Sequence, residues 1–333
     1  MVTIKDIAKI ANVSHTTVSR ALNNSPLIKK VTSDKIKAIA KELNYSPNFN
    51  AKSLVLKKSY MIGLFFSSID RGTSSSFLSQ IVKSITDLID TNYQLAVNSI
   101  DTLENYEFVN RQRYDGIIIM SQSEDDNDFI YYIKNTGIPF VVLNRNLDDS
   151  TITNVISDDQ NGACLAVEYL IELGHRNIAI IEGEKSFKSA TERIEGFIQA
   201  MIKHNVPISQ ANFISGDYSS ESGFVAMNQL LQNEHTPTAV FCSNDDMAIG
   251  ALNACYAKRI RVPEEISIVG FDDICYSNYT SPPLTTVNRP MAEISKQGIQ
   301  ALISLIEDNE LEPKTSVIVS TLKIRESAAK LDN

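Results

Sequence analysis

Apolar residues near the start of the chain recur with helical spacing. Ile4, Ile7, Ala8 and Ala11 fall at i, i+3, i+4 and i+7, while Val18 and Leu22 repeat at i, i+4 beside Ala21. Two short helices joined by Ala11-Asn12-Val13, the second N-capped by Ser14, make a helix-turn-helix candidate. A third amphipathic stretch, Lys35 to Leu43, places Ile36, Ile39, Ala40 and Leu43 on one face and closes a three-helix head. The polar face of the second helix keeps His15, Thr16, Thr17, Ser19, Arg20 and Asn23. Such a set suits groove contact, because Arg forks onto guanine, His and Thr donate or accept, and Asn reaches bases or phosphate. The competing reading is an ordinary amphipathic helix with a solvated face.

From Tyr60 the pattern changes to short apolar runs: 61–66, 94–99, 116–120, 139–144, 177–183, 213–216, 238–243 and 266–271. Helical stretches such as Gly162 to Leu173 and Ile194 to Lys203 lie between most of them. Ile- and Val-rich strands alternating with helices predict an α/β body with parallel sheets buried on both faces. Eight or more such units exceed one comfortable sheet, so two are expected. Between head and body, Pro47 blocks continuation of the third helix, and Asn48 to Leu56 is a short helix candidate, marginal alone in water.

Charge is divided as sharply as the pattern. The first 60 residues hold eleven basic and three acidic side chains, a net of +8 that leaves −17 on the other 273. A basic head on an acidic body is the asymmetry expected when one end meets a polyanion. No apolar run approaches the roughly 18 residues that span a bilayer, and the N-terminus lacks the apolar core of a signal peptide. Cys164, Cys242, Cys255 and Cys275 show no metal-ligand spacing and read as buried free thiols in a cytoplasmic protein. No metal or cofactor is expected.

Ligands of parallel α/β sheets gather where strands lead into helices. The loops after the strands supply a run of small polar residues and Phe at 67–77, Asn144-Arg145, the 184–193 stretch, Asn244-Asp245-Asp246, and Asp272-Asp273 before Tyr276. Such a lining of Asn, Asp, Arg and aromatics suits a sugar. Planar carboxylate and guanidinium groups take vicinal hydroxyls in pairs, and aromatic faces pack on ring C–H groups. Adjacent acids such as Asp158-Asp159 point in different directions and make a poor acid–base pair. No phosphate loop, GxSxG or HExxH is present, so a non-enzymatic role is expected.

The stretch TIKDIAKIANVSHTTVSRALN, followed by KELNYSPNFNAKSL, resembles the DNA-binding head of the LacI/GalR family of bacterial transcription regulators. The resemblance continues in HRNIAIIEG with RIEGF, in FCSNDDMAIGAL and in VPEEISIVGFDD. It implies a helix-turn-helix domain over 1–46, a hinge helix or linker over 47–59, and a two-lobed, periplasmic-binding-protein-like body over 60–333. The N-lobe would comprise about 60–157 and 289–319, the C-lobe about 158–288 and 320–333. It further implies that His15, Thr16 and Arg20 read bases. Thr3, Ser14, Thr17, Ser19, Asn23, Tyr45, Asn48, Ala51 and Lys52 would make other DNA contacts, and Leu54 would wedge the minor groove. Phe77, Asn144, Arg193, Tyr218, Asn244 and Asp272 would contact an effector, most naturally a sugar. Asn144 stands where many relatives carry an acid, and Phe187-Lys188-Ser189 departs from the purine-binding members. A homodimer on double-stranded operator DNA is expected, since no further leucine-repeat helix follows the last strand. The alternatives are a purine, a sugar phosphate or a phosphocarrier protein as the controlling partner, or a solute-binding protein without DNA function.

Overall fold

The structure is a computed structural model that describes residues 2–22, 25–43, 45, 58–307 and 312–331. The chain divides into two compact units, Met1–Ser59 and Tyr60–Asn333. The first contains α1 (Ile4–Ala11), α2 (His15–Leu22) and α3 (Lys30–Glu42) around a core of Ile7, Ala8, Ala11, Val18, Ala21, Ile36 and Ala40. Thr3 starts α1 through a reciprocal pair with Asp6: its amide and hydroxyl donate to Oδ2 at 2.9 and 2.7 Å. Asn12 ends the helix in the left-handed region (φ 56°), a conformation Asn tolerates better than most residues. Ser14 opens α2, its Oγ accepting from the Thr17 amide at 3.1 Å. Helix α3 begins five residues before the expected Lys35. Its first turn carries the exposed Val31 and no apolar face, so periodicity could not register it.

The second unit holds two six-stranded sheets. The first sheet has the order β11-β5-β4-β3-β1-β2, with β1 Met61–Phe66, β2 Gln94–Ser99, β3 Gly116–Met120, β4 Phe140–Leu143, β5 Asn154–Ser157 and β11 Thr315–Ile318. Every pairing in it is parallel. The second has the order β12-β10-β9-β8-β6-β7, with β6 Ile178–Glu182, β7 Phe213–Ser215, β8 Ala239–Cys242, β9 Ser267–Asp272, β10 Thr285–Asn288 and β12 Thr321–Lys323. Only β10 with β12 is antiparallel.

The helices of this unit are α4 (Ser75–Leu88), α5 (Asn127–Thr136), α6 (Asp159–Glu172), α7 (Lys188–Lys203), α8 (Ser220–Leu230), α9 (Asp245–Ala257) and α10 (Met291–Ile306). The chain leaves the first sheet after Ser157, returns to it after Asn288, and crosses again between Ile318 and Thr321. Four strands went unread as apolar runs. Strand β5 follows β4 so closely that it passed for a connection, β10 reads TTVN, and β11 and β12 are short, half-exposed edge strands.

Each sheet is covered on both faces, which gives two apolar layers per sheet. No helix among the described residues is long and apolar enough to cross a membrane. Three cysteines are buried as expected, but Cys275 is exposed. In the turn over Cys275–Asn278, the inward positions go to Ile274 and Ser277, so Cys275 and Tyr276 face out.

His175 lies in the turn between α6 and β6 and pins the C-terminal segment. Nδ1 meets Thr238 Oγ1 at 3.0 Å, and Nε2 meets Ser267 Oγ at 3.0 Å and the Ala329 carbonyl at 3.1 Å. Burial lowers its pKa below the usual 6.5, so the folded state favours neutral imidazole. Its contribution is present above pH 6.5 and is lost as the unfolded chain gains protons at lower pH. The loss of melting temperature between pH 7 and 5 should therefore be smaller in His175→Gln than in wild type. Parallel pH profiles would contradict this account.

Candidate functional site

On the head, His15, Thr16 and Arg20 are exposed on one side of α2, and Val18 and Ala21 are buried on the other. Ser14 and Thr17 share a 2.9 Å hydroxyl contact at the helix start, and Ser19 is half-buried. Thr3 is exposed and engaged with Asp6, whereas Tyr45 packs on the small core. Lys5, Lys9, Lys29, Lys30, Lys35 and Lys41 are exposed around this core. The unit thus presents a recognition-type helix in a positively charged surround. Asn23, Asn48, Ala51, Lys52 and Leu54 lie outside the described residues.

In the second unit, Phe77, Asn144, Arg193, Tyr218, Asn244 and Asp272 line a single small cavity of about 30 Å³. They come from α4, the loop after β4, α7, the loop after β7, the start of α9 and the end of β9. Gly72, Ser74, Gln122, Ser189 and Arg289 complete the wall. Gln122 and Arg289 went unrecognised, because one sits in a serine-rich turn and the other follows a strand without an apolar run.

The polar floor is built around Asp159, a fully buried carboxylate at the start of α6. Its Oδ2 accepts from Arg193 Nη2 at 2.7 Å and Nε at 3.1 Å, and its Oδ1 accepts from Arg289 Nε at 3.1 Å and from Ser157. Burial would raise its pKa, but the two guanidinium groups reverse that, and the carboxyl sits below the ordinary range. Arg193 is held charged, because Asp159 and Asp272 outweigh the cost of burial. It is therefore no surface partner of Glu192 or Glu195. Its guanidinium lies 3.9 Å from the centre of the Phe271 ring. Arg289 reaches on to Asn144 Oδ1 at 2.6 Å and lies over Phe77.

Among the described residues, Asp272 faces the cavity with a single hydrogen-bond contact, 3.4 Å to Arg193. Burial pushes its pKa up to about 6, against the pull of both arginines. It keeps acceptor capacity for an incoming hydroxyl. It does not cap the following turn, whose N-cap is Ile274. Asn244 does act as a cap: its Oδ1 accepts from the Met247 amide at 2.9 Å, and its Nδ2 donates to the Tyr218 carbonyl at 2.9 Å. Asp245 beside it serves the frame, accepting from the Ile274 amide, Ser277 and Thr286, and burial lifts it to about 8. Asn144, Tyr218 and Asp272 all have positive φ, at 81°, 70° and 110°. Strain of this kind in side-chain-bearing residues gathers at binding sites.

The sequence pattern of the bacterial regulatory proteins, lacI family, matches residues 3–48, and that of the periplasmic binding protein-like domain matches 167–328. The chain is 55% identical over 331 residues to the probable HTH-type transcriptional repressor ExuR of Bacillus subtilis (strain 168), covering 99% of each. The chain belongs to the lacI family of transcription regulators. Among solved structures, the lac repressor dimer bound to operator and the anti-inducer ONPF matches with a TM-score of 0.83 and 30% identity. The match covers 98% of this chain and 99% of that one. The CelR–cellobiose complex matches with a TM-score of 0.73 and 27% identity, over 98% and 100%. A lacI-family regulator thus accounts for both the exposed basic helix and the polar cavity.

Removing the central carboxylate should be costly, since it leaves two buried arginines short of a counter-charge. Asp159→Ala should lose about 3–5 kcal/mol of stability. The urea midpoint measures this, and a shift no larger than that of a surface alanine variant would contradict the assignment.

Proposed function

We propose that this regulator is a repressor that grips operator DNA through its head and changes that grip when a sugar occupies the cavity. The observation that carries the reading is convergence. Six side chains from separate strand ends and helices meet in one strained, buried, polar and aromatic cavity. The same chain bears an exposed helix of groove-reading residues. On this reading residues 1–46 read DNA, 47–59 form the hinge, and 60–333 bind effector and dimerise. The lobes are 60–157 with 289–319 and 158–288 with 320–333. His15, Thr16 and Arg20 contact bases. Thr3, Ser14, Thr17, Ser19, Asn23 and Tyr45 fix the head on the DNA backbone, aided by Asn48, Ala51, Lys52 and Leu54 of the hinge.

A carboxylate and two guanidinium groups beside aromatic rings can pair with ring hydroxyls and cover ring C–H groups. The CelR neighbour, of the same fold, is a cellobiose complex. Because Arg193 and Arg289 both face the cavity, sugar acids belong beside neutral sugars in any screen. A homodimer fits a pseudo-palindromic operator with half-sites about one helical turn apart, and the lac repressor neighbour is a dimer on its operator. Effector acts through the difference in its affinity for the DNA-competent and DNA-incompetent states.

Two variants separate the halves of this reading. Arg20→Ala should lose about 1–3 kcal/mol of preference for operator over unrelated DNA. Asp272→Ala should bind operator normally and no longer respond to sugar. A competition shift assay reads both. Unchanged preference in the first, or a wild-type sugar response in the second, would refute the corresponding assignment.

A further inference from the structure

Three polar residues in a row, Asn244, Asp245 and Asp246, open α9, and each has a different task. Asn244 caps the helix and Asp245 serves the frame. Asp246 instead reaches out of its own half of the body. Helix α9 packs on the second sheet and α4 on the first. Ser76 of α4 donates to Asp246 Oδ1 at 3.0 Å and so joins the two halves. A second hydrogen bond between them runs from the Lys188 amide to the Gln122 carbonyl at 2.9 Å.

The setting of Asp246 favours its charge but leaves it incompletely satisfied. The carboxyl belongs to the first turn of α9 and meets the first turn of α4, and the unpaired amides of both helix starts favour negative charge. Burial nevertheless raises its pKa, against the pull of the Ser74 and Ser76 hydroxyls. Its Oδ2 is buried with no hydrogen-bond partner among the described residues, a costly state for an acceptor. Asp246 also lies on the wall of an open hollow with Asp70, Arg71 and Asp217. Parting the halves therefore breaks the bond to Oδ1 but hydrates both oxygens. Such a joint opens and re-forms at modest cost.

We propose that Asp246 is a positioning residue for the cavity: through Ser76 it latches the two sheet-bearing halves together and sets the distance between the cavity walls. Ser76 immediately precedes the wall residue Phe77. Asp246 lies two positions after the wall residue Asn244, which in turn holds the Tyr218 carbonyl. The latch thus acts on each wall through a single helical turn. Asp246 is not part of the cavity lining, so it acts on what the cavity holds without touching it. The identity of the effector does not enter.

Amide hydrogen exchange of the full-length protein, resolved to single amides by mass spectrometry with electron-transfer fragmentation, tests this. The Lys188 amide is the reporter, since its partner Gln122 belongs to the other half. The amides of β6, paired on both sides within the second sheet, are the control for overall stability. Ser76→Ala and Asp246→Ala should each speed exchange at Lys188 by about ten- to hundredfold, the equivalent of one hydrogen bond to a charged group, and leave β6 unchanged. The double variant should exchange no faster than the faster single variant. Unchanged or slower exchange at Lys188 in either single variant, or effects that multiply in the double variant, would overturn the latch. Equal acceleration at Lys188 and β6 would overturn it too, because that marks a general loss of stability.

Discussion

The structure of the body depends on one buried carboxylate and the two arginines that neutralise it. Taking a charge out of water costs several kcal/mol even after relaxation, and only close opposite charges and hydrogen bonds offset that cost. Asp159 receives both, from Arg193, Arg289 and Ser157. These four residues come from three separate parts of the chain. Ser157 ends β5 as the chain leaves the first sheet, Asp159 begins α6, Arg193 lies on α7, and Arg289 follows β10 as the chain returns. The electrostatic requirement therefore fixes the crossovers and the cavity floor together. A ligand that draws on the arginines acts on the same groups that position the lobes.

The cavity wall is adapted to that floor. Asp272 is left with one long contact, and Asn144, Tyr218 and Asp272 are held at positive φ by their strand ends. Asn144 and Asn244 are already engaged by Ser121, Arg289, Met247 and Tyr218. They therefore shape the wall more than they offer free hydrogen-bonding capacity. On the proposed function, Asp272 is the acceptor left for a ligand, with Phe77 and Tyr218 as apolar flanks.

Much of this was legible in the sequence, because burial on both faces of a parallel sheet leaves uninterrupted apolar runs. The runs at 61–66 and 116–120 coincide with strands residue for residue. Edge strands such as β11 and β12 are half-exposed and leave no such trace. The first turn of α3 was hidden for the same reason. All six expected cavity residues converge, since loops at strand ends are read directly from strand positions. Asp159 was visible only as one of two adjacent acids. Its partners lie 34 and 130 positions away in sequence, so its role belongs to the tertiary structure alone. Arg289 and Gln122 were hidden for the same reason, and Cys275 was misjudged because a single exposed turn does not alter local apolar composition.

On the proposed function, cavity occupancy and operator affinity are two sides of one equilibrium. Coupling of this kind is reciprocal by thermodynamic necessity. The direct measurement is the affinity of the sugar for the full-length protein, free and bound to an operator duplex, beside operator affinity with and without sugar. The account predicts that the two ratios are equal and differ from one. A sugar affinity unchanged by operator would contradict it, because a cavity blind to the DNA-bound state cannot control it.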